Sequence, residues 1–234
     1  MRFSRKTYPY LFLVLGIFAQ SGCTNTIAVK PDIASDNIKV KVLEPKVITE
    51  YSKNVNAEKE GVDPSNHETA RTEWNYGIVP ELGFKILKEE KVGNEYKVDL
   101  KITSVDLNLG LPIRLLISDR APPDVVEHEN GHIEICRRIY ANAKEYGIQC
   151  SKKALGKVFS GMNADKKVAI SQALRTAGQE IASPYRGLTA GNAKQVSDQY
   201  DYICQHSKEK LPVDKVIEMS FSEIQRQNQK TSKE

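Results

Sequence analysis

The hydrophobic pattern of the chain changes its period near Ser118, and this change limits the possible folds. Before it, apolar residues alternate with polar ones, as in Ile38–Val42, which is typical of half-buried strands. After it, apolar residues recur every three or four positions, which is typical of amphipathic helices. The chain is therefore predicted to have an α+β fold, with an N-terminal antiparallel β section followed by a helical section.

The strongest local signal in the β section is a hairpin. Apolar residues alternate over residues 82–86 and 96–102, and Gly93-Asn94 supplies a turn between them. The alternation changes parity near Ser104, which predicts a β-bulge. Residues 51–70 are polar and without periodicity, so we expect a loop there.

The α section is expected to hold four helices. The first has proline signals for its start at Pro122-Pro123 and is expected to end at Gly147. The second covers residues 163–182 and is closed by Pro184 and Gly187. The remaining two are expected over residues 192–206 and, as a short helix before a frayed tail, over residues 213–226.

The N-terminus resembles an export signal. Three basic residues precede an apolar run over residues 8–19 that is too short to span a bilayer. The run ends in Gln-Ser-Gly-Cys, which resembles the bacterial lipobox, so Cys23 is expected to carry lipid. A plain secretory signal cut nearby is the alternative. Thr24, where Asp would favour the inner membrane, predicts a lipid anchor in the outer membrane facing the periplasm.

The predicted organisation has four parts. They are a signal peptide (residues 1–22), a tether (23–37), a main domain (38–207) and a C-terminal short helix with a frayed tail (208–234). Loss of the signal removes three of the 34 basic residues and leaves 31 against 30 acidic ones, so the net charge falls to about +1. No basic stripe remains to indicate a nucleic-acid partner.

The first predicted helix carries His128-Glu129-Asn130-Gly131-His132, an H-E-x-x-H motif. Residues four apart share a helix face, so both imidazoles can bind one ion, as in zincins. Zinc lowers the pKa of a bound water, and a neighbouring glutamate can take its proton. The motif therefore predicts a metal site with Glu129 as general base. Two histidines that are incidental to a surface helix are the alternative.

A catalytic zinc usually takes three protein ligands, so a third is needed. Positions three and six residues after His132 do not supply Gly and His. Among the four histidines of the chain, His67 lies in the polar loop, which leaves His206 as the preferred third ligand. Glu180 or Asp201 is the alternative, and a site without a third ligand stays open.

Residues from about 70 to 206 resemble the bacterial family of predicted secreted zinc-dependent proteases. The family has H-E-x-G-H and, further along, a Tyr-Asp-x-x-Thr-x-His-Gly run. This chain has the first motif with its internal glycine, and Tyr200-Asp201 with His206 at the matching distance. Cys204 stands where threonine is usual and Ser207 where glycine is usual.

The resemblance implies a zinc metallopeptidase that acts on a peptide or protein, and together with the N-terminal signal it predicts a lipid-anchored enzyme of the cell envelope. Asp201 or Glu134 is expected to orient a ligand histidine, and Tyr200 is a candidate oxyanion donor. Residues 108–111 are expected to align an extended substrate by strand pairing. The alternative is a non-catalytic, zinc-stabilised binding or structural lipoprotein of the envelope.

The cysteines give a further expectation. If His132 and His206 share an ion, Cys136 lies one turn beyond the first and Cys204 two residues before the second. A Cys136–Cys204 disulfide would then tie the two metal-bearing helices together. Three thiols without a bridge are the alternative.

Overall fold

A computed structural model describes residues 37–52, 69–207 and 211–231. The predicted signal peptide, Cys23, nearly all of the tether and His67 lie outside these ranges. The described strands are β1 (Ile38–Val42), β2 (Lys46–Ser52), β3 (Ala70–Trp74), β4 (Gly77–Val92), β5 (Glu95–Gly110), β6 (Pro112–Ser118) and β7 (Val158–Asn163). The described helices are α1 (Pro123–Tyr140), α2 (Ala143–Ala154), α3 (Lys166–Arg186), α4 (Asn192–His206) and α5 (Val213–Thr231).

The described strands form two sheets. In the first, β5 lies between β4 on one side and β1 and β7 on the other. In the second, β6 lies between β2 and β3. The chain passes from the first sheet to the second twice, between β1 and β2 and between β5 and β6. The α+β class is therefore confirmed, with strands in the N-terminal half and helices mainly in the C-terminal half.

The predicted hairpin is confirmed as β4 and β5. Gly93 has a φ of 62°, which places it in the left-handed region that glycine adopts without strain. Gly83 pairs with Ser104 and Phe84 with Ile102, so one residue of β5 is skipped at the position where the parity of the sequence changes. A second irregularity lies between Ile86 and Lys88. The predicted bulge is therefore present.

The expectation of an antiparallel β section is correct only in part. β1 pairs with β5 in parallel, and β2 pairs with β6 in parallel, while β3, β4 and β7 pair antiparallel to their neighbours. The partners of β1 and β2 are strands far along the chain, and pairing over such a distance leaves no local turn signal in the sequence. Residues 46–52 and 158–163 were not predicted as strands.

Residues 108–111 do not form a free edge. Asn108 pairs with Lys41 of β1 on one side and with Val79 of β4 on the other. Leu111 accepts a hydrogen bond from the backbone of Lys46 at 3.0 Å. The expectation that this segment aligns a substrate is therefore wrong, because its backbone groups are already paired.

The helical section differs from expectation at the ends of three helices. The C-terminal helix is not short, because α5 continues through Thr231, beyond the expected end at residue 226. The first helix stops at Tyr140, and Gly147 lies inside α2, where an added Cβ would lie 3.2 Å from the side chains of both Leu107 and Leu109. Gly147 thus serves close packing of a helix on a sheet and not a helix end. α3 continues through Pro184, and a single π-helical turn, Gly187–Gly191, joins it to α4.

The helices form the layer that holds the candidate site. α2 and α3 pack on the first sheet, α1 packs on β3 of the second sheet, and α4 and α5 pack on α1. The core between these layers contains Leu100, Leu107, Ile113, Ile135 and Ile181, which are all almost completely buried. None of the helices in the described ranges is both long and apolar enough to cross a membrane.

Candidate metal centre

The centre of the site is one turn of α1. Pro123 at the first position fixes φ in the helical range and lacks the N–H that would be left without a partner there. His128 and His132 follow on one helix face, and Glu129 lies beside them. The ligand atoms of these three side chains all lie within 4.8 Å of one another. This group could therefore hold a metal ion, and it is the one such group found within the described residues.

A carboxylate from α4 completes a triangle with the two imidazoles. Oδ1 of Asp201 lies 3.1 Å from Nε2 of His128 and 3.0 Å from Nε2 of His132. The two Nε2 atoms are 3.2 Å apart. Three ligand atoms from two helices thus converge on one point, and all three side chains are largely buried.

Glu129 is buried close to this triangle, with 4% of its surface exposed. Within the described parts of the chain, no hydrogen bond or ion pair to its carboxylate is seen. Buried carboxylates are normally paired, because burial removes water that would otherwise solvate the charge. A carboxylate in this state is suited to interact with a ligand or water at the site.

Strand β3 supports the turn of α1 that carries His128 and His132 from the other side. The hydroxyl of Thr72 donates a hydrogen bond of 3.1 Å to the backbone carbonyl of Glu129. The ring of Trp74 stacks on that of His132, with centroids 6.4 Å apart and planes 28° apart. These contacts fix the rotation of α1 on the sheet. These two contacts were not predicted, because β3 falls where the polar loop was expected to end.

The ring of Tyr200 packs against the imidazoles of both His128 and His132. Its ring centroid lies 4.9 Å from that of His128 and 5.1 Å from that of His132. The Tyr200 hydroxyl donates to the backbone carbonyl of His128 at 3.4 Å. Burial, followed by the nearby Cys204 thiol, raises the pKa of Tyr200, which keeps the phenol protonated.

The pKa of His128 reflects opposing effects. Burial lowers it, but hydrogen bonds to Asp201 and Cys204 and the negative charges of Asp201 and Glu129 outweigh burial and raise the pKa to about 9. Without a metal, this imidazole is therefore a cation at neutral pH. The negative charges around His128 therefore favour a positive charge at this position.

His206 does not join this group. Its ring is exposed, stacks on Tyr202 with centroids 4.3 Å apart, and places Nδ1 2.8 Å from the backbone carbonyl of Tyr202. The structure therefore brings Asp201, and not the preferred His206, to the two imidazoles. Asp201 had been named both as an alternative ligand and as an orienting group. Glu180 also lies elsewhere, exposed and paired with Lys157 at 2.9 Å.

The positions of the side chains also decide two further expectations, the orienting role of Glu134 and the Cys136–Cys204 disulfide. Glu134 forms an ion pair with Arg138 at 2.9 Å on the outer part of α1, so it does not orient a ligand histidine. No disulfide joins Cys136 to Cys204, and the described cysteines are all thiols. Cys136 faces the buried core while Cys204 is exposed, which explains why the predicted bridge does not form.

Comparison with protein-family models, with curated proteins and with solved structures finds no match to this chain. The resemblance to secreted zinc-dependent proteases therefore remains a prediction from two short motifs.

Proposed function

We propose that the protein is a zinc-dependent hydrolase, specifically a peptidase. In this proposal His128, His132 and Asp201 hold the ion, and Glu129 is the general base. The observation that carries the proposal is the triangle of ligand atoms, together with a buried and unpaired glutamate beside it. The substrate would be a peptide or protein.

The dimensions of the triangle support zinc. Bonds of about 2.0–2.2 Å in a tetrahedral arrangement place ligand atoms about 3.3–3.6 Å apart. The three separations among His128, His132 and Asp201 are 3.0 to 3.2 Å, so a small outward movement of these side chains would admit the ion. Two imidazoles and one carboxylate form a donor set that zinc accepts, and three protein ligands leave the fourth position open.

The side chains of the site suit hydrolysis of an amide. Bound zinc would supply a water of lowered pKa and would polarise the scissile carbonyl. Glu129 would accept the proton of the attacking water and deliver it to the nitrogen of the leaving amine. Trp74 and Tyr200 pack against the imidazoles and exclude bulk water from that side, which strengthens electrostatic interactions at the site.

A second candidate is a metal site without catalysis, in a binding or structural protein. The observation that favours it is the thiol of Cys204, which lies close enough to His128 and Tyr200 to raise the pKa of both side chains. A thiolate there would be a fourth zinc ligand, and a site with four protein ligands has no position for water. The peptidase remains the first proposal because a closed site gives the buried Glu129 no role.

The proposal includes export and lipid attachment at Cys23, supported by the N-terminal sequence alone. Expression of the full chain with labelled palmitate should label the wild type and leave Cys23→Ser unlabelled. Label on Cys23→Ser, or none on the wild type, would contradict the lipid anchor without affecting the metal site.

Metal content tests the ligand set. We expect about one zinc per wild-type chain, loss of most of it in His128→Ala and Asp201→Ala, and retention in His206→Ala. Retention in Asp201→Ala together with loss in His206→Ala would contradict the assignment. Absence of zinc from the wild type, even after incubation with zinc, would contradict the whole proposal.

Activity tests the role of Glu129. Digestion of a peptide library by the wild type should fall by about 10²-fold or more in Glu129→Gln, while zinc content is unchanged. Glu134→Gln is the matched control, because it makes the same change on the same helix at a partly exposed, ion-paired position. Equal activity of wild type and Glu129→Gln, or no cleavage by a zinc-loaded wild type, would favour the second candidate.

A further inference from the structure

The glycine inside the metal motif faces the tyrosine that precedes Asp201. A Cβ added at Gly131 would lie 2.6 Å from Cζ of Tyr200 and would also meet its hydroxyl oxygen. Real Cβ atoms essentially never come within 3.0 Å of another group. Tyr200 is fully buried and cannot swing into solvent, so any side chain at position 131 would force α4 away from α1.

The position of the Tyr200 ring determines what lies around the metal. The ring is in contact with both imidazoles, and its hydroxyl lies against the backbone of α1 at His128. The next residue, Asp201, extends Oδ1 to both Nε2 atoms. A shift of α4 by about 1 Å would therefore change the separation of ligand atoms by a large part of a zinc–ligand bond length.

We propose that Gly131 and Tyr200 act as a positioning pair for the metal ligands, an inference that rests on the metal site proposed above. The missing side chain at Gly131 allows the Tyr200 ring to approach α1, and the ring then sets the distance between α1 and α4. At that distance Asp201 reaches the ion and the imidazoles are held in one orientation. Tyr200 acts through the ligands, and its hydroxyl, which lies against α1, is not an oxyanion donor.

This pair connects two sequence motifs that are about seventy residues apart. The glycine of H-E-N-G-H and the tyrosine of Tyr200-Asp201 are each unremarkable alone, and their contact gives both a function. Residues that orient metal ligands typically change metal affinity by about 10- to 100-fold when they are replaced. We expect a change in zinc affinity of this size when Gly131 or Tyr200 is replaced.

The test measures zinc affinity by competition with a chromophoric chelator, together with the visible spectrum of the cobalt-substituted protein. The variants are Gly131→Ala, Tyr200→Phe, Tyr200→Ala and the double variant Gly131→Ala/Tyr200→Ala. Gly178→Ala is the matched control, since it is also a buried glycine inside a helix but its added Cβ would be 3.5 Å from the nearest atom, an ordinary contact.

We expect Gly131→Ala and Tyr200→Ala each to weaken zinc binding by about tenfold or more and to change the cobalt spectrum. Tyr200→Phe keeps the ring and should bind zinc within about threefold of wild type, as should Gly178→Ala. The double variant should bind zinc no more weakly than Tyr200→Ala, because the alanine at 131 then occupies space that the ring has left.

Several results would overturn the proposal that Gly131 and Tyr200 act as a positioning pair. These are wild-type affinity in Gly131→Ala, equal affinity in Tyr200→Phe and Tyr200→Ala, or a double variant whose loss is the product of both single losses. If Gly131→Ala does not fold, the comparison of the two Tyr200 variants still decides. A wild type that binds no zinc would instead refute the proposed metal site, so the two failures are distinguishable.

Discussion

In the metal-free protein, the free energy of unfolding should depend on the protonation of His128. In the folded, metal-free protein its pKa is raised to about 9, whereas the ordinary value of 6.5 applies to the unfolded chain. Burial opposes this rise, and the contacts with Asp201 and Cys204 overcome it. Each pKa unit corresponds to about 1.4 kcal/mol, so protonation of His128 stabilises the metal-free fold by about 3 kcal/mol.

The direction of the pH dependence follows from the sign of the change in the pKa of His128 on folding. Because the folded pKa lies above the unfolded one, the stabilisation is complete below pH 6.5 and is lost as the pH rises through about 9. Urea denaturation of chelator-treated protein across this range measures it. The wild type should lose about 3 kcal/mol of unfolding free energy, and His128→Gln should lack this loss.

The histidine at 206 provides the control. Its ring is exposed and makes local contacts with Tyr202, so His206→Gln should follow the wild-type pH profile. Zinc should compete with the proton, so that the apparent zinc affinity falls as the pH drops below about 9. Equal pH profiles for wild type and His128→Gln, or an NMR titration that gives His128 a pKa below 6.5, would refute the reasoning.

Three further substitutions test other parts of the fold and the site. Thr72→Val removes the hydrogen bond to the Glu129 carbonyl and should cost about 1 kcal/mol in urea denaturation with zinc content unchanged; loss of zinc would contradict this. Gly161→Ala would bring a Cβ within 2.8 Å of the backbone carbonyl carbon of Ala169, so thermal unfolding should show a loss of about 3 kcal/mol or more. A wild-type melting temperature would contradict that packing. Cys204→Ser should keep its zinc, and a loss of about one equivalent would identify the thiol as a ligand.

The hairpin could be predicted from the sequence because its information is local. Gly93 supplies the left-handed turn residue, and the alternation on both sides fixes which face is buried. The parity change at Ser104 located the bulge for the same reason. The parallel partners β1 and β2 could not be assigned, since their neighbours lie more than sixty residues along the chain and no turn joins them.

The ends of helices were less predictable than their existence. Gly147 was expected to end the first helix because glycine is common after the last turn. In the fold its small size serves the contact of α2 with Leu107 and Leu109. A glycine that is needed for close packing and a glycine that ends a helix cannot be distinguished without knowledge of what lies opposite it.

The same limit explains why the sequence favoured His206 over Asp201. H-E-x-x-H depends only on the turn of one helix, so His128 and His132 could be paired from spacing alone. The third ligand depends on which face of α4 meets α1. Asp201 and His206 are five residues apart, which separates them by about 140° around the helix and about 7.5 Å along it, so only one can reach the imidazoles. In the fold, Gly131 lies where α4 approaches α1, and the residue opposite it is Tyr200, immediately before Asp201. The sequence does not show which residue lies opposite this glycine, so the face of α4 that meets α1 could not be chosen.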